Sequence, residues 1–335
     1  ALTGKLAARV DVAESLALRG ALSTGFRAPS LNQAWFNNVS TQYVIDPGTN
    51  ELIPAQVLTS NNQDPVTRAF GVPKLAEEKS MNLSGGLIWR PTESWSVTGD
   101  LYWIGIRDRI VLTSRFSDGD PSIGADVASI LAPFQDYGIG QAQFFANAVD
   151  TRTLGVDLVA NWATSWRGGL LSLTTSVNLT STEVTDINVP VSMAEKFSSG
   201  SLEDVKAVLF NREERNRLET ALPRTSGHLG VDYSRNRFRL GLGANYFGKV
   251  LYRPTNPAND EDFGGKVLLD VDLGWQLRDG LRLEAGANNL LNTFPDRHRK
   301  AANLGSGNFP YSRRVTQFGM NGGFYFLRLA FDLSG

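Results

Sequence analysis

Cysteine is absent from the 335 residues, which excludes disulfides, thiolate metal centres and cysteine nucleophiles. Histidine is scarce: His228 and His298 lie far apart in sequence, leaving zinc no close pair of ligands. No stretch approaches the roughly 18 consecutive apolar residues of a membrane helix. Neither sign of charge is in excess, and a net charge of −1 gives no electrostatic case for nucleic acid. The chain starts at Ala1 with neither a charged nor an apolar leader region, as expected of a processed or partial product. No catalytic constellation is present, since Ser23 and Gly25 lack the spacing of a nucleophile elbow and a nearby histidine. The reading is therefore of a non-enzyme that needs no cofactor.

What the chain does have is alternation. In its last stretch, residues 319–333, Tyr325, Leu327, Leu329, Phe331 and Leu333 alternate with Phe324, Phe326, Arg328, Ala330 and Asp332. A strand here has one unbroken apolar face and one mixed face with both charges. A soluble protein would cover the apolar face with a second layer, whereas a membrane barrel turns it to lipid and points Arg328 and Asp332 into a wet lumen. The pattern recurs at residues 5–12, 16–26, 78–90, from 95, 145–162, 171–180, 225–233, 237–246, 267–276 and 281–288. Short turns near residues 13–15, 91–94, 165–169, 234–236 and 278–280 alternate with long loops at 32–74, 114–142, 186–222, 252–264 and 292–314. The first loop reads as a polar coil, the second holds a short helix before Pro133, and the third holds the one convincing helix, N-capped by Ser201.

Five short turns and five long loops join eleven strands, with every long loop at the same end of the sheet. Outer-membrane barrels sort their connections in this way. Single-chain bacterial barrels have an even strand number, so eleven is read as half of twenty-two, and the two outer edges would be unpaired within these residues. Trp89, Trp95, Trp103, Trp162, Trp275, Tyr233, Tyr246 and Tyr325 fall near strand ends or on lipid faces, as an interfacial girdle would; ordinary sheet packing accounts for them equally well. The expected fold is an all-β antiparallel transmembrane barrel. A porin or autotransporter-type translocation barrel, and a soluble extracellular β-sheet binding protein such as a lectin-like sandwich, remain alternatives.

The stretch STGFRAPSL (residues 23–31) closely resembles the signature of TonB-dependent outer-membrane receptors, with Gly25, Phe26, Arg27, Ala28 and Pro29 at its centre. LAEEKSMNLSGGL (75–87), IRDRIVLTSRF (106–116), NAVDTRTLGVDL (147–158), NNLLNTFPDRH (288–298) and GMNGGFYFLRLAFDL (319–333) agree with it. The resemblance covers essentially the whole chain. It implies a 22-stranded barrel in the bacterial outer membrane, plugged by an N-terminal domain, that imports a scarce nutrient with energy from the TonB complex. Siderophores, sugars, peptides and cobalamin are the substrate classes it leaves open. It also implies that residues 1–335 are the C-terminal part of such a barrel, without the plug, the TonB-contacting segment and the N-terminal strands. The last strand resembles the family's assembly signal, through Gly323, Phe326, Leu329 and Phe331, which the barrel-insertion machinery reads. Family chains commonly finish on an aromatic residue, whereas Ser334 and Gly335 follow Leu333 here.

Ligand contacts are expected from external loops. Trp35, Phe36, Asn37, Asn38 and Tyr43 combine stacking faces with amide donors, and Arg115 and Phe116 are further candidates; self-packing of the loop is the competing role for each. Asp118 with Asp120, and Asp260 with Glu261 and Asp262, are oxygen-rich clusters of the kind calcium takes, although charged loop tips are usually just solvated. Arg237, Arg239, Asp270, Asp272, Arg282, Glu284, Arg328 and Asp332 are expected to pair with one another across the last strands.

Overall fold

Sustained alternation produces strands along the whole chain. The computed structural model describes residues 2–45, 52–304 and 309–331. In chain order they form β1 (Gly4–Ala13), β2 (Leu16–Arg27), α1 (Leu31–Trp35), β3 (Asn38–Ile45), β4 (Leu52–Ser60), α2 (Pro65–Ala69), β5 (Glu78–Trp89) and β6 (Trp95–Leu112). There follow β7 (Phe116–Ser117), α3 (Gly124–Leu131), β8 (Gln141–Trp166), β9 (Gly169–Ile187), α4 (Val191–Ala194), α5 (Leu202–Leu209) and α6 (Arg212–Glu219). The last elements are β10 (Thr225–Arg235), β11 (Phe238–Phe247), β12 (Val250–Tyr252), β13 (Glu261–Phe263), β14 (Lys266–Arg278), β15 (Leu281–Asn288) and β16 (Phe324–Phe331). Among the described residues no helix is long and apolar enough to cross a membrane.

Eleven strands pair in the order β1-β2-β5-β6-β8-β9-β10-β11-β14-β15-β16, each antiparallel to the next. β1 and β16 are each paired on one side only, so the ring is not closed. Register lines up the apolar face from strand to strand: Trp162, Leu173, Val231, Leu242, Val271, Ala287 and Tyr325 form one continuous row. This face is open rather than covered, with Leu6 75% and Leu327 74% exposed. A soluble sheet could not tolerate that arrangement, and lipid is the solvent that suits it.

Most of the aromatic residues expected at strand ends gather at the turn end. Trp95 and Trp162 sit opposite one another with ring centroids 6.1 Å apart, and Trp166 meets Tyr233 edge-on at 5.5 Å. Trp103 departs from this band, lying opposite Leu83 and Leu154 nearer the loop end.

The polar face is tied together across intervening glycines. Arg19, Gly86 and Asp100 share one row, and the Arg19 guanidinium crosses the bare glycine to Asp100; a Cβ on Gly86 would lie 2.1 Å from the Asp100 carboxylate. Tyr102 reaches Thr180 at 2.7 Å across Gly155 in the same way. The charge rows of the last strands pair only in part. Glu284 takes both Arg282 (2.6 Å) and Arg328 (3.2 Å), while Arg239 bonds Asp232 rather than Asp272. Arg237 donates to the Leu277 carbonyl, and Asp270 accepts from Asn245 and the Asn289 N–H. Asp332 lies outside the described residues.

The long connections depart most from expectation. The described residues within 32–74 are not a coil: β3 and β4 pair antiparallel, and β4 pairs in parallel with the start of β8. β8 therefore begins at Gln141 and ends at Trp166 instead of spanning 145–162, and its 26 residues far exceed the roughly 10 needed to cross a bilayer. The extra length carries a packed layer. Leu58, Phe70, Phe116, Val127, Phe144, Met193, Val205 and Leu209, drawn from three long loops and β8, are all buried in one apolar cluster. Ser201 caps α5 as expected, through a capping box with Asp204, but α4 and α6 flank it as further helices.

Candidate functional site

The loop layer leaves a polar cavity of about 580 Å³ at the loop end of the sheet. One wall is α6, whose N-cap Asn211 accepts the backbone N–H groups of Glu213 and Glu214 at 3.0 Å each. The second loop is stitched to this junction, with Ser114 N–H on the Leu209 carbonyl (3.1 Å) and Asn211 N–H on the Ser114 hydroxyl (2.9 Å). Arg115, the next residue, is thereby placed on the cavity wall with Gln141 and Gln143 of β8, Thr255 of the fourth loop and Arg314 of the fifth.

Its electrostatics alternate in sign. Arg217 donates to Glu214 at 2.8 Å, and Arg314 pairs with Glu213. Burial pushes the Glu214 carboxyl above the usual carboxylate range, against the pull of Arg217 and Arg115. Burial likewise lowers the affinity of Arg115 for its proton, with Glu214 opposing, and it lowers Arg314, which Arg115 also repels. Gln141 donates to the Ser117 hydroxyl at 3.3 Å while its own side-chain oxygen is buried with no hydrogen-bond partner among the described residues. Among the described residues no aromatic ring lines the space. Such a wall suits a ligand held by hydrogen bonds and charge rather than by stacking.

Of the residues expected to meet ligand, Arg115 lies on this wall, whereas Trp35, Phe36, Asn37 and Asn38 do not. Trp35 and Phe36, at the end of α1, are exposed; Asn37 donates to Asp64 at 3.0 Å, and Asn38 starts β3 opposite Thr59. Tyr43 lies in β3, with its side chain outside the described residues. Phe116 is a correction: it is fully buried against Phe70 and Phe144 and cannot touch a ligand, because the β7–β8 pairing turns its ring into the loop layer.

Most of the acidic cluster residues are engaged by protein groups. The Asp120 carboxylate accepts the N–H groups of Ser122 and Ile123 at the entrance to α3, and the exposed Asp118 carboxylate accepts from the Ser117 hydroxyl at 3.5 Å. Arg212 forks onto Asp260, and Arg253 holds Asp262 at 2.6 Å. Among the described residues no group of three acidic or histidine side chains is placed to hold a metal ion.

The signature residues build a joint instead of a pocket. Arg27 forks onto the buried Glu78 at 2.7 and 2.5 Å, and Glu78 also accepts the Ile110 N–H at 2.8 Å. A Cβ on Gly25 would come within 2.8 Å of the Ser80 hydroxyl, Phe26 is half exposed on the apolar face, and Ala28 and Pro29 lead into α1, capped by Ser30. In β16, Phe326 lies over Gly286 and stacks on Phe324, Leu329 and Phe331 are exposed on the apolar face, and Gly323 N–H bonds Asn292.

Sequence reading missed Glu213, Glu214, Arg217 and Arg314. Residues 212–219, REERNRLE, have almost no apolar stripe, so the helical period is silent; the signal available was charge spacing, seen in the Arg217–Glu214 and Arg215–Glu219 pairs.

The fourth and fifth loops are joined by one buried carboxylate. Glu261 accepts from His298 (2.5 Å), Asn303 (2.7 Å) and the N–H groups of Arg299 and Lys300 (2.5 and 3.0 Å). Burial works against the ionised carboxyl, yet these donors prevail and hold it below its ordinary value of 4.5. A carboxyl lowered by folding stabilises the folded state above its unfolded value and loses that contribution as pH falls through the folded one. Hydrogen exchange at Arg299 and Lys300, corrected for intrinsic rate, will therefore accelerate as pH drops below about 4.5, and Glu261→Gln will abolish the acid-dependent step. Equal acid sensitivity in the variant would assign the step elsewhere.

The family model for the β-barrel of TonB-dependent receptor-like proteins matches residues 1–290. No curated protein sequence matches the chain. Among solved structures, a variant of the ferric enterobactin receptor PfeA from Pseudomonas aeruginosa superposes with a TM-score of 0.58 at 13% identity, over 98% of this chain and 40% of that one. The siderophore receptor PirA from Acinetobacter baumannii gives 0.57 at 10% identity, over 98% and 40%. The iron transporter FrpB from Neisseria meningitidis gives 0.54 at 14% identity, over 98% and 38%. The chain thus spans about two fifths of the length of the structures it resembles.

Proposed function

The chain belongs to the TonB-dependent receptor β-barrel family, and from that premise we propose that it is the C-terminal half of a 22-stranded outer-membrane barrel that imports a scarce nutrient. The open sheet of eleven strands supports the half-barrel reading. The missing partners of β1 and β16 are then the N-terminal strands of the same protein, together with a plug through which TonB delivers energy. β16, with Phe326, Leu329 and Phe331, is the strand offered to the barrel-insertion machinery. Receptors and transporters, not enzymes, make up this family, and its barrels reside in the bacterial outer membrane.

The observation that carries the import reading is the polar cavity at the loop end, where Arg115, Glu214, Arg217 and Arg314 converge from three different connections. A ligand arriving from outside meets Trp35 and Phe36 first and is then held by this charged wall. Iron chelates lead the substrate classes, because the similar structures are receptors for ferric enterobactin, for siderophores and for iron; sugars, peptides and cobalamin follow.

The test uses the complete receptor in cells lacking other receptors of this kind, with labelled ferric enterobactin, cobalamin and maltooligosaccharide as probes. One probe will accumulate, a protonophore will stop its uptake, and Arg115→Ala with Arg217→Ala will weaken its binding about tenfold or more. Uptake that continues in de-energised cells would make the protein a passive pore. Energised uptake with unchanged binding in the double variant would move the ligand site away from this cavity.

A further inference from the structure

The three carboxylates on the cavity wall are not equivalent. Glu213 pairs with Arg314 and accepts from the Thr255 hydroxyl at 3.3 Å, and Asp120 accepts two backbone N–H groups at the entrance to α3. Glu214 faces guanidiniums that line the open space themselves. It accepts from Arg217 of its own helix at 2.8 Å and lies close enough to Arg115 of the second loop to be pulled by its charge. Arg314 of the fifth loop is near enough to repel Arg115, so cations from three connections surround this one side chain. With its side chain only 16% exposed, Glu214 is an internal counter-ion for Arg217 and Arg115.

A ligand bearing an acidic group must compete with Glu214, because guanidiniums are the strongest donors on the wall. Two carboxylates that share a partly buried site do not both stay ionised. Burial already pushes the Glu214 carboxyl above the usual carboxylate range, and Arg217 and Arg115 pull it back. An incoming anion that takes both arginines removes that pull and adds a like charge beside the carboxylate. A proton on Glu214 relieves the repulsion and turns the side chain into a donor.

We propose that the cavity takes an anionic ligand by exchange: the acidic oxygens of the ligand replace the Glu214 carboxylate on Arg217 and Arg115, and Glu214 takes one proton from solvent as it is released. This rests on the reading of the cavity as the nutrient site, and adds to it the charge of the ligand and a dependence on pH. The proton is held more tightly in the bound state than in the free one. Affinity is therefore highest at low pH and falls, by up to about tenfold per pH unit, as pH rises from the free towards the bound value of Glu214.

The experiment uses the complete receptor in nanodiscs, with ferric enterobactin and ferric citrate as anionic probes and a maltooligosaccharide as an uncharged one. Calorimetry from about pH 5.5 to 8, in two buffers of unlike ionisation enthalpy, reads affinity and proton uptake together. An anionic probe will bind wild-type receptor with uptake of up to one proton. Glu214→Gln, close in shape and permanently uncharged, will bind that probe without proton uptake and at one affinity across the range. Its folded mobility on a semi-native gel will match wild type, and proton uptake is read on the wild type whatever the variant does. Binding of an anionic probe without proton uptake, or an undiminished pH slope in folded Glu214→Gln, overturns the exchange and leaves the import reading standing. A site that takes the maltooligosaccharide alone does the same. Binding of none of the three would overturn the reading of the cavity as the nutrient site along with this proposal.

Discussion

Phe116→Ala will open the external loop layer while leaving the sheet beneath it intact. Phe116 is fully buried, with its ring 5.3 Å from Phe70, 5.4 Å from Phe144 and 5.8 Å from Phe197. These four rings come from the first loop, the second loop, β8 and the third loop, so one side chain packs four segments together. Truncating a buried phenylalanine costs roughly 3–5 kcal/mol through lost transfer energy and the cavity left behind. Apart from the loop ends of β6, β8 and β9, the antiparallel ladder from β1 to β16 lies outside this cluster, so the loss is local. Hydrogen exchange will rise across residues 56–73, 113–131 and 191–210, and proteases will cut there, while the barrel strands keep their protection. Unchanged loop protection would show that the layer is held by the β4–β8 ladder instead of its rings.

The second large effect is expected at Glu78. Its carboxylate is buried and serves two donors at once, the Arg27 guanidinium from β2 and the Ile110 N–H from β6, so it joins three consecutive strands where they leave the sheet. Arg27 is about half exposed, which discounts the ion pair. The buried N–H is not discounted, and stranding it together with the guanidinium in Glu78→Ala costs roughly 2–3 kcal/mol. Glu78→Gln retains an acceptor for Ile110 and will cost less. Urea unfolding in lipid vesicles will rank the wild type above Glu78→Gln and Glu78→Ala last. Equal stability of the two variants would assign the whole effect to the ion pair.

The barrel wall was legible in the sequence because its two environments are as different as lipid and water. Leu229, Val231 and Tyr233 against His228, Gly230 and Asp232 leave one registration possible, since slipping by one residue would put Asp232 into hydrocarbon. The five short turns were legible for a similar reason: Arg167 and Gly168 both have positive φ, as a tight hairpin requires, and they interrupt the alternation cleanly. The loop layer gave no such signal. Val57 and Leu58 sit in a stretch rich in Gln, Thr and Asn, and they become core only because β4 finds the far end of β8 more than 80 residues away.

The candidate site followed the same division. Arg115 could be picked out as a charge in a long loop, but its neighbour Phe116 was assigned to the same cavity and is buried instead; which of two adjacent residues faces solvent depended on the pairing of β7 with β8. Arg115, the Glu214 and Arg217 pair on α6, and Arg314 lie on three separate connections and meet only after folding. By itself the sequence determined the number of wall strands, the apolar face and the sorting of short turns from long loops, because each follows from local periodicity and backbone hydrogen bonding. Only the tertiary structure decided that the external loops form a packed layer and where the charged cavity lies, because those contacts join residues whose attraction for one another has no period along the chain.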